Sequence, residues 1–224
     1  MSVLAVVGLK REAMLVAGPH VTVVIGGGNS VLLRQRLERA IRDDVKGIIS
    51  IGIAGALSPT LDAGNCIIAS SILVDGKALD TDETWTSHFR EILPDTIRGT
   101  ITGAEKIAAT AEEKRAIHRA TGADAVDMES HVAIGIAREH GLPFVALRAI
   151  SDRADHTLPH AARVAMKPSG GIALGRVLKS VVTRPHQIPA LVRTNRETEK
   201  AFSALLRCLD LLGPGFGCPY LSLL

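Results

Sequence analysis

The stretch AVDMESHVAIGIAREHGLPFVALRAISDRAD, residues 125–155, reads as strand, helix, strand. ADAVDM (123–128) has the length of a short strand. Glu129–His140 carries apolar residues at helical spacing and stops at Gly141. PFVALRAI (143–150) is a continuous apolar run of strand length. Acids stand at both ends of this unit. Asp127-Met128-Glu129 marks the join of first strand and helix, and Ser151-Asp152 closes the second strand. A core seldom keeps an unpaired carboxylate, because desolvating its charge costs several kcal/mol. These acids are therefore either surface caps or groups that face a ligand.

The same alternation extends outward. VLAVVG (3–8), VTVVIGG (21–27), GIISIGIAG (47–55), NCIIASSILV (65–74) and GTITG (99–103) read as further strands. SVLLRQRLERAIRDD (30–44), with Asn29 or Ser30 as N-cap, reads as a helix. So do AEEKRAIHRATG (111–122), stopped by Gly122, and GIALGRVLKSVVTR (171–184), closed by Pro185. This order predicts an α/β protein with a largely parallel sheet covered by helices on both faces. Beyond Pro185 the character changes to a helical stretch, Ala190–Leu212, and an apolar end broken by Gly and Pro. We divide the chain into a main domain, 1–184, and a C-terminal helical extension, 185–224. The extension is either a terminal helix packed on the same domain or a partly basic apolar surface for lipid or an apolar substrate tail.

Composition narrows the classes. A chain of 224 residues suffices for one sizeable domain. Aromatics at 3% leave few stacking surfaces, and a net charge of +3 is too mild for a nucleic-acid partner. No apolar stretch approaches the ~20 residues of a membrane span. MSVLAVVGLKREA lacks the basic start and cleavage site of a leader and reads as a first strand. Cys66, Cys208 and Cys218 show no metal or redox spacing, which suits free thiols in a reducing cytoplasm.

Ligands of open α/β sheets gather at the carboxyl ends of strands. Those ends are Gly8-Leu9-Lys10-Arg11-Glu12, Gly26-Gly27-Gly28-Asn29, Ile53-Ala54-Gly55, Asp127-Met128-Glu129 and Ser151-Asp152, all rich in glycine or acids. VIGGGNS lacks the third glycine and the later acid of a dinucleotide fingerprint, so it reads as a turn that permits a close approach to backbone. Pro159 breaks the helix that would align His156 with His160, and we expect no metal site. Cys66 lies inside a β-branched run and reads as core.

SIGIAGALSPTLDAGNCIIAS, AVDMESHVAIGIA and PFVALRAISDRAD together resemble the purine nucleoside phosphorylase and methylthioadenosine/S-adenosylhomocysteine nucleosidase superfamily, over roughly residues 3–180. GLKREA, Lys106 and the added C-terminal segment look most like the hopanoid-associated phosphorylases, which are linked to removing adenine from adenosylhopane. The resemblance implies a three-layer α/β/α nucleoside phosphorylase-like fold with a central mixed, largely parallel sheet. It implies an enzyme that cleaves the N-glycosidic bond of a purine nucleoside. It needs no cofactor, with phosphate as a co-substrate if the reaction is phosphorolysis. A homo-oligomer, with a dimer favoured, and a lipid-linked substrate reached from the inner membrane surface complete the expectation.

By resemblance Glu129 binds the ribose hydroxyls and Met128 packs on the sugar; Asp127 beside them is counted as substrate-binding, with a plain helix cap as its alternative. A carboxylate has two oxygens for a cis-diol. Asp152 corresponds to the acid that protonates the purine N7, so that the base leaves neutral, and Ser151 orients it. Ile107 meets the base edge through its backbone, and Ala54 and Gly55 line the substrate site. Glu12 matches the glutamate that activates water, while Gly8, Lys10 and Arg11 are the candidates for phosphate. The nucleophile stays open between water and phosphate, with the branch inclining to phosphate. Ile53 stands where phosphorolytic relatives often have serine, and Lys106 where nucleosidases stack a phenylalanine on adenine. The alternatives are a methylthioadenosine/S-adenosylhomocysteine-type nucleosidase and a non-catalytic nucleoside-binding domain, and the joint presence of Glu12, Glu129 and Asp152 argues against the latter.

Overall fold

The computed structural model describes residues 1–163, 169–171 and 173–221. Among the described residues eight strands form one mixed sheet. They are β1 (Ser2–Val7), β2 (Val21–Ile25), β3 (Val45–Ala56), β4 (Cys66–Val74), β5 (Lys77–Asp80), β6 (Ile97–Gly103), β7 (Ala125–Asp127) and β8 (Phe144–Asp152). The order is β2-β1-β3-β7-β6-β4-β5, with β8 bridging β3 and β4. β3 is long enough to serve three neighbours. It pairs in parallel with β1 on one side; on the other it pairs in parallel with β8 over Ile48–Gly55 and antiparallel with β7 at Gly55 and Ala56. Strand ends from β3, β7 and β8 therefore converge on one edge.

The helices are α1 (Lys10–Val16), α2 (Ser30–Ala40), α3 (Glu83–Ile92), α4 (Ala111–Thr121), α5 (Ser130–Glu139), α6 (His160–Arg163), α7 (Leu174–Thr183) and α8 (Ile188–Leu212). They cover both faces of the sheet, giving the three-layer arrangement. Successive strand residues point to opposite faces. Val3, Ala5, Val7, Val145, Leu147 and Ala149 pack against the α1, α3 and α8 side, which supplies Val16, Trp85 and Leu205. Leu4, Val6, Phe144, Ala146 and Ile150 pack against α2 and α5, through Leu33, Leu37, Ala133 and Ile136. Because both faces are buried, these strands carry no polar alternation.

Local signals place most boundaries. Asn29 caps α2 by accepting from the Leu32 N–H at 2.8 Å, and α2 stops at Ala40, short of the expected residue 44. Gly122 ends α4 in the left-handed conformation, φ 67°. Four elements went unread in the sequence. They are α1, the hairpin strand β5 after the Asp75-Gly76 turn, α3 and the short α6. In α3 Asp82 caps by accepting from the Trp85 N–H at 2.8 Å, and Trp85 meets Phe89 edge to face.

The C-terminal extension is integral to this core. Ala201, Ala204, Leu205, Cys208, Leu209 and Leu212 of α8 are buried against the sheet. Trp85 Nε1 donates to the Phe216 carbonyl at 3.0 Å. Phe202 and Leu205, which a lipid-facing extension would expose, are buried. Cys66 and Cys208 place their sulfurs 3.4 Å apart as free thiols between β4 and α8. Among the described residues no helix is long and apolar enough to cross a membrane.

Candidate active site

A cleft of about 180 Å³ opens where the ends of β1, β3, β7 and β8 meet. It is lined by Gly8 and Glu12, by Ala54 and Gly55, by Ile107, by Asp127, Met128 and Glu129, and by Ser151 and Asp152. Lys106 and Ile53 also border it. The sequence candidates are thus brought to one place, apart from Lys10 and Arg11. Arg11 turns away, and its guanidinium holds Glu199 of α8 at 2.7 Å and lies 3.9 Å from the centre of the Phe202 ring.

The backbone around the cleft is shaped to receive carboxylates. A side chain on Gly8 or Gly26 would run into Glu129, and one on Gly52 would lie 2.5 Å from Glu12 and 2.7 Å from Arg148. The glycine turn after β2 therefore makes room for a protein carboxylate, not for a dinucleotide. Glu12 sits in the first turn of α1. It accepts from the backbone N–H groups of Gly8 at 2.8 Å and Leu9 at 2.7 Å with one oxygen, and from Ile53 at 2.8 Å with the other. These three bonds leave lone-pair capacity for one more donor.

Three carboxylates share one buried cation. Arg148 lies in the middle of β8 on the face that meets α5, fully buried in an otherwise apolar strand. It donates to Asp127 from Nε at 2.6 Å and to the Ser50 hydroxyl at 2.6 Å. Ser130 completes the island by donating to Asp127 through both its N–H and its hydroxyl. Asp127 is therefore an internal ion-pair partner. Burial pushes the carboxyl of Glu129 up to about 7. Arg148 opposes this, and the neighbouring charges of Asp127 and Glu12 reinforce it. Burial likewise raises Glu12 above its ordinary value, against Arg148 and the backbone donors.

Asp152 has a separate cation. Its Oδ2 receives the ammonium of Lys114, which is fully buried on α4, and Ser151 Oγ lies 2.7 Å from its Oδ1. Asp152 thus has a buried cationic partner of its own. Arg148 and Lys114 are the two residues that sequence reasoning missed. Each carries a signal. Arg148 is a lone charge inside an apolar run, and Lys114 lies one helical turn before Ile117 on the inward face of α4.

His156 faces Glu197 of α8 at 2.9 Å, and His160 faces the Ser180 hydroxyl at 2.9 Å.

The fold has many solved counterparts. One is a futalosine hydrolase of Helicobacter pylori, with TM-score 0.62 and 16% identity over 94% of this chain and 97% of that one. Another is an MTA/SAH nucleosidase of Streptococcus pneumoniae in complex with 8-aminoadenine, with TM-score 0.62 and 18% identity over 93% and 100%. A third is a 5′-methylthioadenosine/S-adenosylhomocysteine nucleosidase of Helicobacter pylori, with TM-score 0.59 and 16% identity over 94% and 98%. At these identities the likeness is one of fold. No curated protein sequence matches significantly. A family model described as the phosphorylase superfamily matches residues 7–183, well over half of the chain. The chain belongs to the phosphorylase superfamily.

Proposed function

We propose that this protein is an adenine-nucleoside nucleosidase that cleaves the N-glycosidic bond with water. The observation that carries the reading is the convergence of Glu12, Glu129 and Asp152 on one cleft. Hydrolysis of this bond needs three things. The base must be protonated as it leaves, the sugar must be held while it gains positive charge, and water must be aimed at its anomeric carbon. Asp152 serves as the acid. Glu129 holds the ribose diol while Met128 packs on the sugar. Glu12 takes the proton of the attacking water, and burial, which raises its pKa above the ordinary carboxylate value, makes it a stronger base. Ile107 offers backbone groups to the base edge. Two of the solved counterparts are nucleosidases and one is a hydrolase by name, which supports water over phosphate. So does the placement of Arg11, whose planar fork is occupied by Glu199 outside the cleft.

The finer substrate proposal is an adenosine carrying a large apolar group at the ribose 5′ position, adenosylhopane by resemblance. Lys106 borders the cleft where a nucleosidase would stack a phenylalanine, so the tail must supply affinity that the base lacks. Leu178 and Val182 of α7 and Ile188 and Val192 of α8 are exposed apolar residues close in sequence to Arg184 and Arg193. They are the part of the extension that suits a lipid surface. The test is free adenine released from adenosine, 5′-methylthioadenosine and an adenosyl lipid on anionic vesicles, each with and without phosphate. Adenine from none of them refutes the nucleosidase. Equal turnover of soluble and lipid-linked substrates removes the tail from the account.

A further inference from the structure

The mechanism above uses Asp152 but gives no role to the buried ammonium beside it. Lys114 donates to Asp152 Oδ2, to the Arg153 carbonyl at 2.7 Å and to the His156 carbonyl at 3.0 Å. All three of its N–H donors are therefore used. Its side chain is fully buried and does not line the cleft, so it reaches a ligand only through Asp152. The helix that carries it is anchored at its start. Thr110 accepts from the Glu113 N–H at 3.1 Å, and Glu113 reaches back to the Thr110 N–H at 2.9 Å. The loop that follows Asp152 is tied to the same place, since Leu158 N–H donates to the Ala109 carbonyl at 2.7 Å.

A lone surface-type lysine would not be built this way. Burying an ammonium is costly unless it is paired and fully hydrogen-bonded, and here a tripod of acceptors is assembled around it behind the acid. Ser151 Oγ lies 2.7 Å from Asp152 Oδ1 and 3.2 Å from the Ala54 carbonyl. Its single hydrogen serves the shorter contact. Each oxygen of the carboxyl thus has its own donor, which leaves the group one orientation toward the cleft.

Resting on the nucleosidase reading, we propose that Lys114 is a positioning residue for the acid. It fixes how Asp152 presents to the base and stabilises the carboxylate that Asp152 becomes. In the step concerned, the Asp152 carboxyl gives its proton to a nitrogen of the departing base. The carbon–nitrogen bonding pair goes to that base, and the new carboxylate lies against the Lys114 ammonium. The role belongs to leaving-group departure alone, and that sets its signature.

The experiment compares two ribosides in the full-length enzyme. Adenosine needs a protonated leaving group, and 4-nitrophenyl β-D-ribofuranoside does not, because its phenolate departs unaided. Lys114→Met should lower kcat on adenosine by about 100-fold with KM held within about threefold, the pattern of a lost transition-state contact. Its loss on the 4-nitrophenyl riboside should stay below about fivefold, since no proton is needed there. Lys114→Gln, which keeps a donor without the charge, should fall between wild type and Lys114→Met. In an Asp152→Asn background Lys114→Met should cost nothing more, because the two act as one unit. This charge-free pair also provides the comparison if the single variants do not fold. Equal losses on both ribosides, a change in KM alone, or a further loss in the Asp152→Asn background would overturn the role of Lys114. A wild-type enzyme that cleaves neither riboside, nor any other adenine nucleoside, overturns the nucleosidase reading itself.

Discussion

The two acidic clusters of the cleft are built on different ratios of acid to cation. Around Arg148 stand three carboxylates, Asp127, Glu129 and Glu12, for one guanidinium. Around Lys114 stands one, Asp152. In the first cluster the excess negative charge cannot all be accommodated away from water, and burial pushes Glu129 up to about 7 and raises Glu12. In the second one acid faces one cation, so its charge is balanced once it has given up its proton, and the pair is held by the Ser151 hydroxyl and by the Arg153 and His156 carbonyls. An over-acidic cluster suits the recognition of hydroxyls and the stabilisation of a sugar that becomes cationic. One cation behind one acid suits a group that hands over a proton in a fixed orientation and is left as a carboxylate. The fold makes this possible by placing the two at different strand ends, β7 and β8, on either side of one cleft.

Breaking the balanced pair has the largest expected effect. Asp152→Asn should lower kcat on adenosine by about 10²–10⁴-fold, the range of general acid catalysis, with little change in substrate binding. Steady-state kinetics with an equilibrium binding measurement checks it, and an Asn variant near wild-type turnover would remove Asp152 from the acid role.

Breaking the over-acidic cluster should show first in stability. Arg148→Met strips three buried carboxylates of their cation, and a severed buried pair typically costs about 3–5 kcal/mol. For a chain of this size that amounts to a drop in Tm of roughly 6–20 °C. Thermal unfolding of Arg148→Met beside Asp127→Asn reads it. If Arg148→Met melts like wild type, the charge island is not holding the strand ends together.

Glu129→Gln sharpens the comparison by neutralising one acid without removing its shape. It should weaken ribosides about tenfold more than 2′-deoxyribosides, the scale of a hydrogen bond to a charged group. It should also change the pH dependence of stability. In the folded state Glu129 holds its proton up to about 7, above its unfolded value. Its contribution to stability is therefore complete below about pH 4, near the unfolded carboxyl pKa, and is lost as pH rises through about 7. The Tm of wild type should fall relative to that of Glu129→Gln over this window and level off above it. A constant difference across the window would place Glu129 outside the coupled cluster.

The smallest effect belongs to Arg11. Its bridge to Glu199 is about half exposed on both sides, and such pairs contribute about 0–1 kcal/mol. Arg11→Ala should leave turnover and its phosphate dependence unchanged and move Tm by only a few degrees. A new phosphate requirement in that variant would return Arg11 to the site.

The sequence showed the strand ends because each is a visible break, where a β-branched run gives way to glycine or an acid. Gly8, Ala54-Gly55, Asp127-Met128-Glu129 and Ser151-Asp152 could all be placed that way. Arg148 and Lys114 were not, since their roles arise from partners 21 and 38 residues away that no local pattern links to them. The extension was half legible. Its apolar residues marked a helix, but only the packing of α8 on the sheet shows that Phe202 and Leu205 belong to the core. α3 could have been read from Asp82, Trp85 and Phe89, a cap followed by an aromatic pair one turn apart.

The most direct test of the account is the fate of the anomeric oxygen. An adenine nucleoside is turned over in heavy-oxygen water containing phosphate, and the sugar product is weighed by mass spectrometry. The account predicts a free sugar carrying one heavy oxygen, formed at the same rate without phosphate and abolished in Glu12→Gln. A sugar 1-phosphate without the label would contradict it, and would make the cleft a phosphorolytic one.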